Sequence, residues 1–269
     1  MKPTLWWLAV GALLACTMSL DSARSFPSQS AAQIQRSPVV VELFTSEGCS
    51  SCPTADELLG KLEAAQPIAG AEIIGLEEHV DYWNHDGWMD PYSSGEWTAR
   101  QQEYVARLKL NTPYTPQMIV DGHTEFSGNN QGKVQETIQQ AAKLEKWSIS
   151  IAAGAPGKSN VLNPKVEVST IRGTREGEKA DLWLAVTEAG LRTSVSAGEN
   201  KGQTWEHASI VRSLQKMGSL SSSHATPFLA QPQVKLQPNW KKENLRIVVF
   251  VQERKSGRII GAATVKAAS

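Results

Sequence analysis

Residues 38–53 have the sequence PVVVELFTSEGCSSCP. The first seven are mostly β-branched or apolar, which is typical of a short strand buried on both faces of a sheet. A polar turn then leads to Cys49 and Cys52, which form a C-x-x-C motif. Pro53 follows, and proline is tolerated in a helix only within the first turn. The stretch therefore predicts a strand, a turn and a helix that begins close to Cys52.

Downstream of this stretch, helical and strand-like patterns continue to alternate. Ser93 and Glu96 have the spacing of a capping box, which predicts the start of a second helix. Asp121-Gly122 is typical of a two-residue hairpin turn between two strands. Over residues 38–146 the predicted order is β-α-β-α-β-β-α, with parallel strands first and a hairpin last. This order predicts an α/β layer fold.

After residue 147 the pattern changes to short strands separated by Gly, Pro and Ser clusters. Several of these runs alternate apolar and polar residues, and no helical periodicity interrupts them. The predicted strands cover residues 148–152, 165–170, 180–187, 209–214, 234–236, 246–252 and 258–265. Residues 147–269 are therefore expected to form a β-rich, sandwich-like second domain.

The amino terminus has the pattern of an export signal. Lys2 precedes an apolar run at residues 5–15, which is too short to span a bilayer comfortably, so residues 1–25 are interpreted as a signal peptide. The run ends in LLAC, which resembles a bacterial lipobox and leaves two routes open: lipidation at Cys16, or ordinary cleavage farther along. Residues 26–37 are expected to be a flexible linker. The protein is predicted to be exported to the periplasm or the cell surface, and its only expected membrane attachment is the lipid anchor that the first of these two routes would place at Cys16.

The overall composition argues against some classes of partner. Lys plus Arg and Asp plus Glu are balanced at 27 each, and no long run of one sign occurs. Nucleic-acid-binding proteins usually carry a basic face, so that class is disfavoured. No nucleotide, flavin or haem motif is found, so no cofactor is predicted.

The number of cysteines indicates how the two cysteines of the C-x-x-C motif are paired. The chain has three cysteines, and Cys16 belongs to the signal or the anchor. Cys49 and Cys52 are therefore the only cysteines of the mature chain, and in an oxidising compartment they are expected to form a disulfide with each other. A disulfide that closes so short a loop lowers the conformational entropy of the unfolded chain only a little, so it adds little to the stability of the fold. The pattern favours a chemical role.

The position of the pair at a helix start supports thiol chemistry. The amino-terminal end of a helix stabilises a thiolate and lowers a cysteine pKa from about 8.5 to roughly 3.5–7.5. Cys49 is predicted to attack a substrate disulfide, and Cys52 to resolve the mixed disulfide. The expected partners are thiols or disulfides of exported proteins, and the direction of electron flow is left open.

Polar and aromatic residues of the 77–92 segment are candidates to surround the cysteines. This segment follows the second strand at its carboxyl end, where open α/β sheets build their sites. His79 and Asp81 are candidates for moving protons during exchange, and Trp83 and Glu47 are further candidates near the motif. The alternative is that the aromatic residues form a packing cluster and the polar groups only make hydrogen bonds within the loop.

Taken together, the C-x-x-C motif after the first strand and Thr115-Pro116 before the third resemble thioredoxin. That resemblance implies that Pro116 is cis and lies against the cysteines, with Thr115 beside it. More narrowly, the chain resembles a secreted bacterial family, domain of unknown function 1223. The motifs that carry this resemblance are LFTSEGCSSCP (43–53), HVDYW (79–83), GWMDP (87–91), RQ (100–101), YTPQ (114–117), GEN (198–200) and VR (211–212). The family implies a thioredoxin-like fold with a β-rich second part, and it brings no established reaction.

Two other functions fit the same residues. Cys49 and Cys52, with His79 or His85 as an extra ligand, match a site for a soft ion such as Cu(I). In a third interpretation the β-rich half recognises a partner and the cysteines only stiffen a loop. A four-thiolate zinc site would need a second cysteine pair, and no other metal ligands are assigned.

A polar segment in the second half allows two interpretations. GENKG at 198–202 and the nearby His207 are predicted to form a solvated hairpin loop. A role in the active site is the alternative.

Overall fold

The computed structural model describes residues 36–85, 87–154, 160–169, 178–221 and 227–267. The predicted signal peptide, Cys16 and almost all of the 26–37 linker lie outside these residues. No helix in the described part of the chain is both long and apolar enough to cross a membrane.

The first half contains seven elements in the order β-α-β-α-β-β-α, which confirms the order predicted from the sequence. They are β1 (Ser37–Thr45), α1 (Pro53–Ala65), β2 (Ala71–His79), α2 (Gly95–Leu108), β3 (Gln117–Val120), β4 (Thr124–Ser127) and α3 (Gln131–Ala141). Helix α2 is capped by Ser94, whose side chain accepts a hydrogen bond from the Glu96 N–H at 3.1 Å. The cap is therefore one residue later than the capping-box spacing from Ser93 predicted.

The second half is built from strands and one short 3₁₀ helix at Lys242–Asn244. Its strands are β5 (Ile149–Ala152), β6 (Val161–Leu162), β7 (Lys165–Val168), β8 (Lys179–Glu188), β9 (Leu191–Ser194), β10 (Thr204–His207), β11 (Ile210–Ser221), β12 (Phe228–Ala230), β13 (Val234–Lys235), β14 (Leu245–Glu253) and β15 (Ile259–Lys266). The sequence missed β6, β9, β10 and β12, because runs of two to four residues carry little periodicity.

One eight-stranded sheet joins the two halves, in the order β15-β14-β8-β11-β2-β1-β3-β4. Strands β1 and β2 are parallel, and β11 pairs parallel to β2 through Ile210 and Glu77. The sequence predicted a separate sandwich after residue 147, whereas four of its strands extend the first sheet. A free edge of β2 would leave backbone groups unpaired, and β11 covers that edge. The result is a mixed α/β fold with a large sheet and, among the described residues, three α-helices.

Side chains of β1 alternate between two cores, as expected for a strand buried on both faces. Val39, Val41 and Leu43 pack with α1 and α3, while Val40 packs on the other face with Trp97 of α2. In the second half, one face of β8 and β14 packs against the smaller β12-β7-β5 sheet. The predicted sandwich packing therefore exists locally, as a second layer on the shared sheet.

The turn after β3 fastens the second half to the first. Asp121 and Gly122 have φ angles of 48° and 65°, a left-handed conformation that favours Asp-Gly. The Asp121 side chain accepts the Val40 N–H at 3.0 Å and pairs with Lys146. Its carbonyl accepts the Ile259 N–H of β15 at 2.8 Å. Because buried backbone N–H and C=O groups need hydrogen-bond partners, these contacts allow the turn to be buried between the two halves.

Candidate functional site

The two cysteines lie at the start of α1 and form a disulfide with a Cα–Cα distance of 5.5 Å. Cys52 is the residue that caps α1, and its carbonyl accepts the N–H groups of Ala55 and Asp56. This confirms that the helix begins close to Cys52. Cys49 Sγ lies 3.3 Å from the Ser51 hydroxyl, and both cysteines are fully buried. In the disulfide state the sulfurs are not thiolates, so they do not act as the soft-metal ligands considered above.

A hairpin from the second half, β9–β10 with its loop (residues 191–207), covers the disulfide. Val195 and Trp205 form one buried cluster with the two cysteines. Asn200 Nδ2 donates to the carbonyl oxygens of Glu47 at 2.9 Å and Cys49 at 3.0 Å. The prediction of a solvated loop is therefore wrong for Asn200, which is 1% exposed. We call this segment the hairpin cover.

The aromatic 77–92 segment contributes a second wall beside the cysteines. Trp83 packs against the disulfide cluster and donates its Nε1–H to Thr115 Oγ1 at 2.8 Å. A Cβ at Gly48 would lie 3.0 Å from Trp83 Cβ, so glycine at this position allows the close approach of Trp83. The Thr115–Pro116 peptide is cis. Thr115 is thus bonded to a tryptophan that packs against the cysteine cluster.

Pro116 lies on the helix side of this site. A Cβ built at Gly128 would lie 3.4 Å from Pro116 Cβ and 2.9 Å from Ala55 Cβ in the first turn of α1. The Pro116 carbonyl accepts the Gly128 N–H at 3.0 Å. Pro116 is therefore close to the helix that carries Cys52.

Asp81 and His85 have different surroundings. Asp81 accepts a hydrogen bond from Thr98 Oγ1 at 2.6 Å, which ties it to the first turn of α2. The His85 ring stacks on Trp83 with a centroid distance of 6.4 Å. The structure thus places Asp81 at a helix start and His85 against a tryptophan that packs on the disulfide.

Glu47 and His79 belong to a buried polar network beneath the cysteines. Glu47 Oε1 lies 2.9 Å from His207 Nε2, and Glu47 Oε2 accepts Trp88 Nε1–H at 2.9 Å. The Glu47 N–H donates to Asp90 Oδ2 at 2.8 Å, and the same oxygen lies 2.7 Å from His79 Nδ1. The sequence singled out Glu47 and His79 but not Asp90, and it favoured a solvated position for His207.

At the centre of this network lie Asp56, Glu77, His79 and His207, which we call the four-residue cluster. One nitrogen or oxygen of each lies within 4.8 Å of the others. Burial raises the pKa of both Asp56 and Glu77 to about 7. Burial by itself lowers the pKa of His79, but the adjacent Asp90 carboxylate outweighs it and the pKa rises to about 9.

The opposite face of the sheet holds a second buried polar group, Glu42, Glu78, Arg100 and Tyr104, which we call the arginine cluster. Arg100 Nε donates to Glu42 Oε2 at 2.6 Å and lies 3.2 Å from Glu78 Oε1. The Tyr104 hydroxyl donates to Glu42 and accepts Gln252 Nε2–H at 2.7 Å. Burial raises the pKa of Glu78 well above its ordinary value despite Arg100.

Comparisons with known proteins place the chain in a family. The family described as "Protein of unknown function (DUF1223)" matches residues 40–252, and the chain belongs to it. The crystal structure of protein AGR_C_4864 from Agrobacterium tumefaciens is similar, with 26% identity and a TM-score of 0.65, over 87% of this chain and 96% of that one. HBP35 of Porphyromonas gingivalis shares the fold at 15% identity and a TM-score of 0.63, over 86% of this chain and 75% of that one. No curated protein matches the sequence.

Proposed function

From membership of the DUF1223 family, whose activity is open, we propose that the chain is an exported thiol–disulfide redox protein with a thioredoxin-like active site. The observation that carries the proposal is the Cys49–Cys52 disulfide at the first turn of α1. The signal-like sequence before the described residues supports export. The cis Thr115–Pro116 peptide and Trp83 beside the disulfide fit the same assignment.

In the reduced protein, the Cys49 thiolate attacks one sulfur of a substrate disulfide. A Cys49–substrate bond forms, and the other substrate sulfur leaves as a thiolate. Cys52 then attacks Cys49 Sγ and releases the second substrate sulfur, so that two electrons pass to the substrate and the Cys49–Cys52 disulfide is formed. The reverse sequence oxidises a substrate dithiol. The helix terminus and the Ser51 hydroxyl, 3.3 Å from Cys49 Sγ, stabilise the Cys49 thiolate.

Because both sulfurs are buried, exchange requires the hairpin cover to move. The cover is held at the motif by the two Asn200 hydrogen bonds and by the Ser50 N–H, which donates to Glu199 Oε2 at 3.2 Å. The Glu199 contact is exposed and therefore weak. We propose that a protein partner displaces this cover on docking, which would restrict exchange to partners that fit.

The test is to trap the partner in cells. Cys52→Ala leaves Cys49 without its resolving thiol, so a Cys49-dependent mixed disulfide should accumulate and appear on non-reducing gels. The matched control is Cys49→Ala, which should trap far less. If Cys52→Ala captures no exported protein in cells where the wild type is oxidised, the redox proposal fails. If a double variant, Cys49→Ala with Cys52→Ala, keeps full cellular function as well, a binding role gains support.

A further inference from the structure

The four-residue cluster has an unusual hydrogen-bonding pattern. Asp56 Oδ1, Glu77 Oε2, His79 Nε2 and His207 Nδ1 are all buried, and none has a hydrogen-bond partner among the described residues. Each residue of the cluster thus has one unpartnered atom. Each also has one potential ligand atom, and these four ligand atoms all lie within 4.8 Å of one another. Buried polar atoms in native proteins nearly always have partners, so four such atoms around one point require a physical cause.

The second ring nitrogen of each histidine is already held. His79 Nδ1 lies 2.7 Å from Asp90 Oδ2, and His207 Nε2 lies 2.9 Å from Glu47 Oε1. When each of these nitrogens donates its hydrogen to the carboxylate, the other nitrogen presents a lone pair to the centre of the cluster. Metal-binding histidines are oriented and made more basic by such carboxylate partners.

The two carboxylates are oriented in the same way. Asp56 Oδ2 accepts the Thr45 hydroxyl at 2.7 Å, and Glu77 Oε1 accepts the Ala208 N–H at 3.2 Å. The remaining oxygen of each, Asp56 Oδ1 and Glu77 Oε2, is buried and has no hydrogen-bond partner among the described residues, so it is available to an ion. His207 Nδ1 and Glu77 Oε2 are 3.8 Å apart, close to the separation of two ligands that share one ion with bonds of about 2.0–2.2 Å.

The charge balance also favours a dication. Metal binding requires neutral imidazoles, and with both of them neutral the four ligand side chains carry a charge of −2, which a divalent ion neutralises. The charged groups that act most on Glu77 are Asp56, His207 and His79, which are members of the same cluster. Leaving two carboxylates paired only with imidazoles costs free energy in a buried position.

We propose that Asp56, Glu77, His79 and His207 bind one divalent transition-metal ion, and that this ion is Zn²⁺. Two imidazole nitrogens and two carboxylate oxygens form a tetrahedral donor set that suits zinc, whereas Mg²⁺ and Ca²⁺ prefer oxygen ligands alone. The cysteines are not ligands. The ion reaches the site through a surface cleft of about 650 Å³, whose lining includes Asp56 and His207.

The position of the site suggests what the ion does. Asp56 lies in the first turn of α1, four residues after Cys52, and His207 is the last residue of the hairpin cover. A bound ion therefore links the helix that carries the cysteines to the segment that covers them. This assignment is independent of the redox proposal, because it uses no sulfur atom.

The experiment uses the full mature protein, stripped with a chelator and reloaded with ZnCl₂. We expect one zinc per chain by elemental analysis. Zinc affinity is measured by competition with a chromophoric chelator. Removing a residue that only hydrogen-bonds to a metal ligand lowers metal affinity by roughly 10- to 100-fold. We expect Glu77→Gln and Asp56→Asn, which each change a ligand, to lower zinc affinity by at least this much. Both variants keep side-chain shape, and circular dichroism checks that they fold.

Three control variants distinguish zinc at this cluster from zinc bound elsewhere on the chain. Glu78→Gln, next in the chain but on the other face, and His123→Ala, an exposed histidine, should each bind zinc within twofold of wild type. The double variant Cys49→Ser/Cys52→Ser should also keep its zinc, and loss of zinc there would move the metal to the sulfurs and overturn the proposal. Absence of stoichiometric zinc, unchanged affinity in Glu77→Gln, or tighter binding of MnCl₂ than of ZnCl₂ would overturn it as well. Failure of the Cys52→Ala trapping experiment would leave this result untouched.

Discussion

Glu77 and Glu78 are consecutive residues of β2, and they enter two buried polar groups that differ in one respect. Because side chains alternate along a strand, Glu77 lies with Asp56 and His207, while Glu78 lies with Arg100 on the opposite face. Both carboxylates are fully buried. The arginine cluster includes its own permanent cation, whereas the four-residue cluster relies on histidines.

This difference shows how a fold can bury charge in two ways. In the arginine cluster, the guanidinium is bonded to Glu42 and stacked near the rings of Trp183 and Phe250. This cation offsets the charge of the buried carboxylates, although both Glu78 oxygens lack a hydrogen-bond partner among the described residues. In the four-residue cluster, the atoms that face one another are acceptors or lone-pair donors, so the group is completed by an ion from outside. The first arrangement stabilises the junction of the two halves, and the second is suited to binding.

The largest expected effect comes from removing the cation of the arginine cluster. Arg100→Met leaves Glu42 and Glu78 buried without a permanent positive partner, and breaking a buried pair in this way costs about 3–5 kcal/mol. Urea denaturation should show this loss in the free energy of unfolding. The control is Lys61→Met, which removes an exposed pair with Glu57 and should cost less than about 1 kcal/mol. Similar losses in the two variants would mean that Arg100 does not complete its cluster.

The next effect separates the two glutamates. Free zinc at 100 times its dissociation constant should raise the free energy of unfolding of the wild type by about 2.7 kcal/mol. Glu78→Gln should keep this zinc-dependent gain, because it changes only the arginine cluster. Glu77→Gln should lose most of it. Denaturant titrations with and without chelator measure the zinc-dependent gain in each variant. An equal gain in the two variants would contradict the assignment of Glu77 to the zinc site and of Glu78 to the arginine cluster.

The smallest effect concerns the hydroxyl of the arginine cluster. Tyr104→Phe removes the group that donates to Glu42 and accepts from Gln252. Glu42, Gln252 and Arg100 Nη2 each lose a hydrogen bond to this hydroxyl, while Arg100 keeps its pair with Glu42. We therefore expect destabilisation of about 1–3 kcal/mol with no change in zinc affinity. Thermal unfolding and the chelator competition measure the two quantities. A shift in zinc affinity would show that the two clusters are coupled across the sheet.

Much of the fold could be predicted from local patterns. The apolar run at β1 and the proline at position 53 indicated the strand and the helix start at Cys52, and the alternation that follows indicated the order β-α-β-α-β-β-α. Glu47, His79, Trp83 and Thr115 were named as candidates because they flank the motif or follow strand ends. The predictions of the strand, the helix start and the element order succeed because strand periodicity, helix periodicity and proline geometry act over a few residues.

The sequence by itself therefore determined the first layer of the molecule and the position of the Cys49–Cys52 pair at a helix start. Only the tertiary structure decided that β11 joins β2, and that Asn200 and His207 come from the far half to the cysteine loop. The Glu47–His207 contact spans 160 residues, and no local pattern encodes it. Such contacts depend on how sheets share edges and how buried groups satisfy one another, which is a property of the packed chain as a whole.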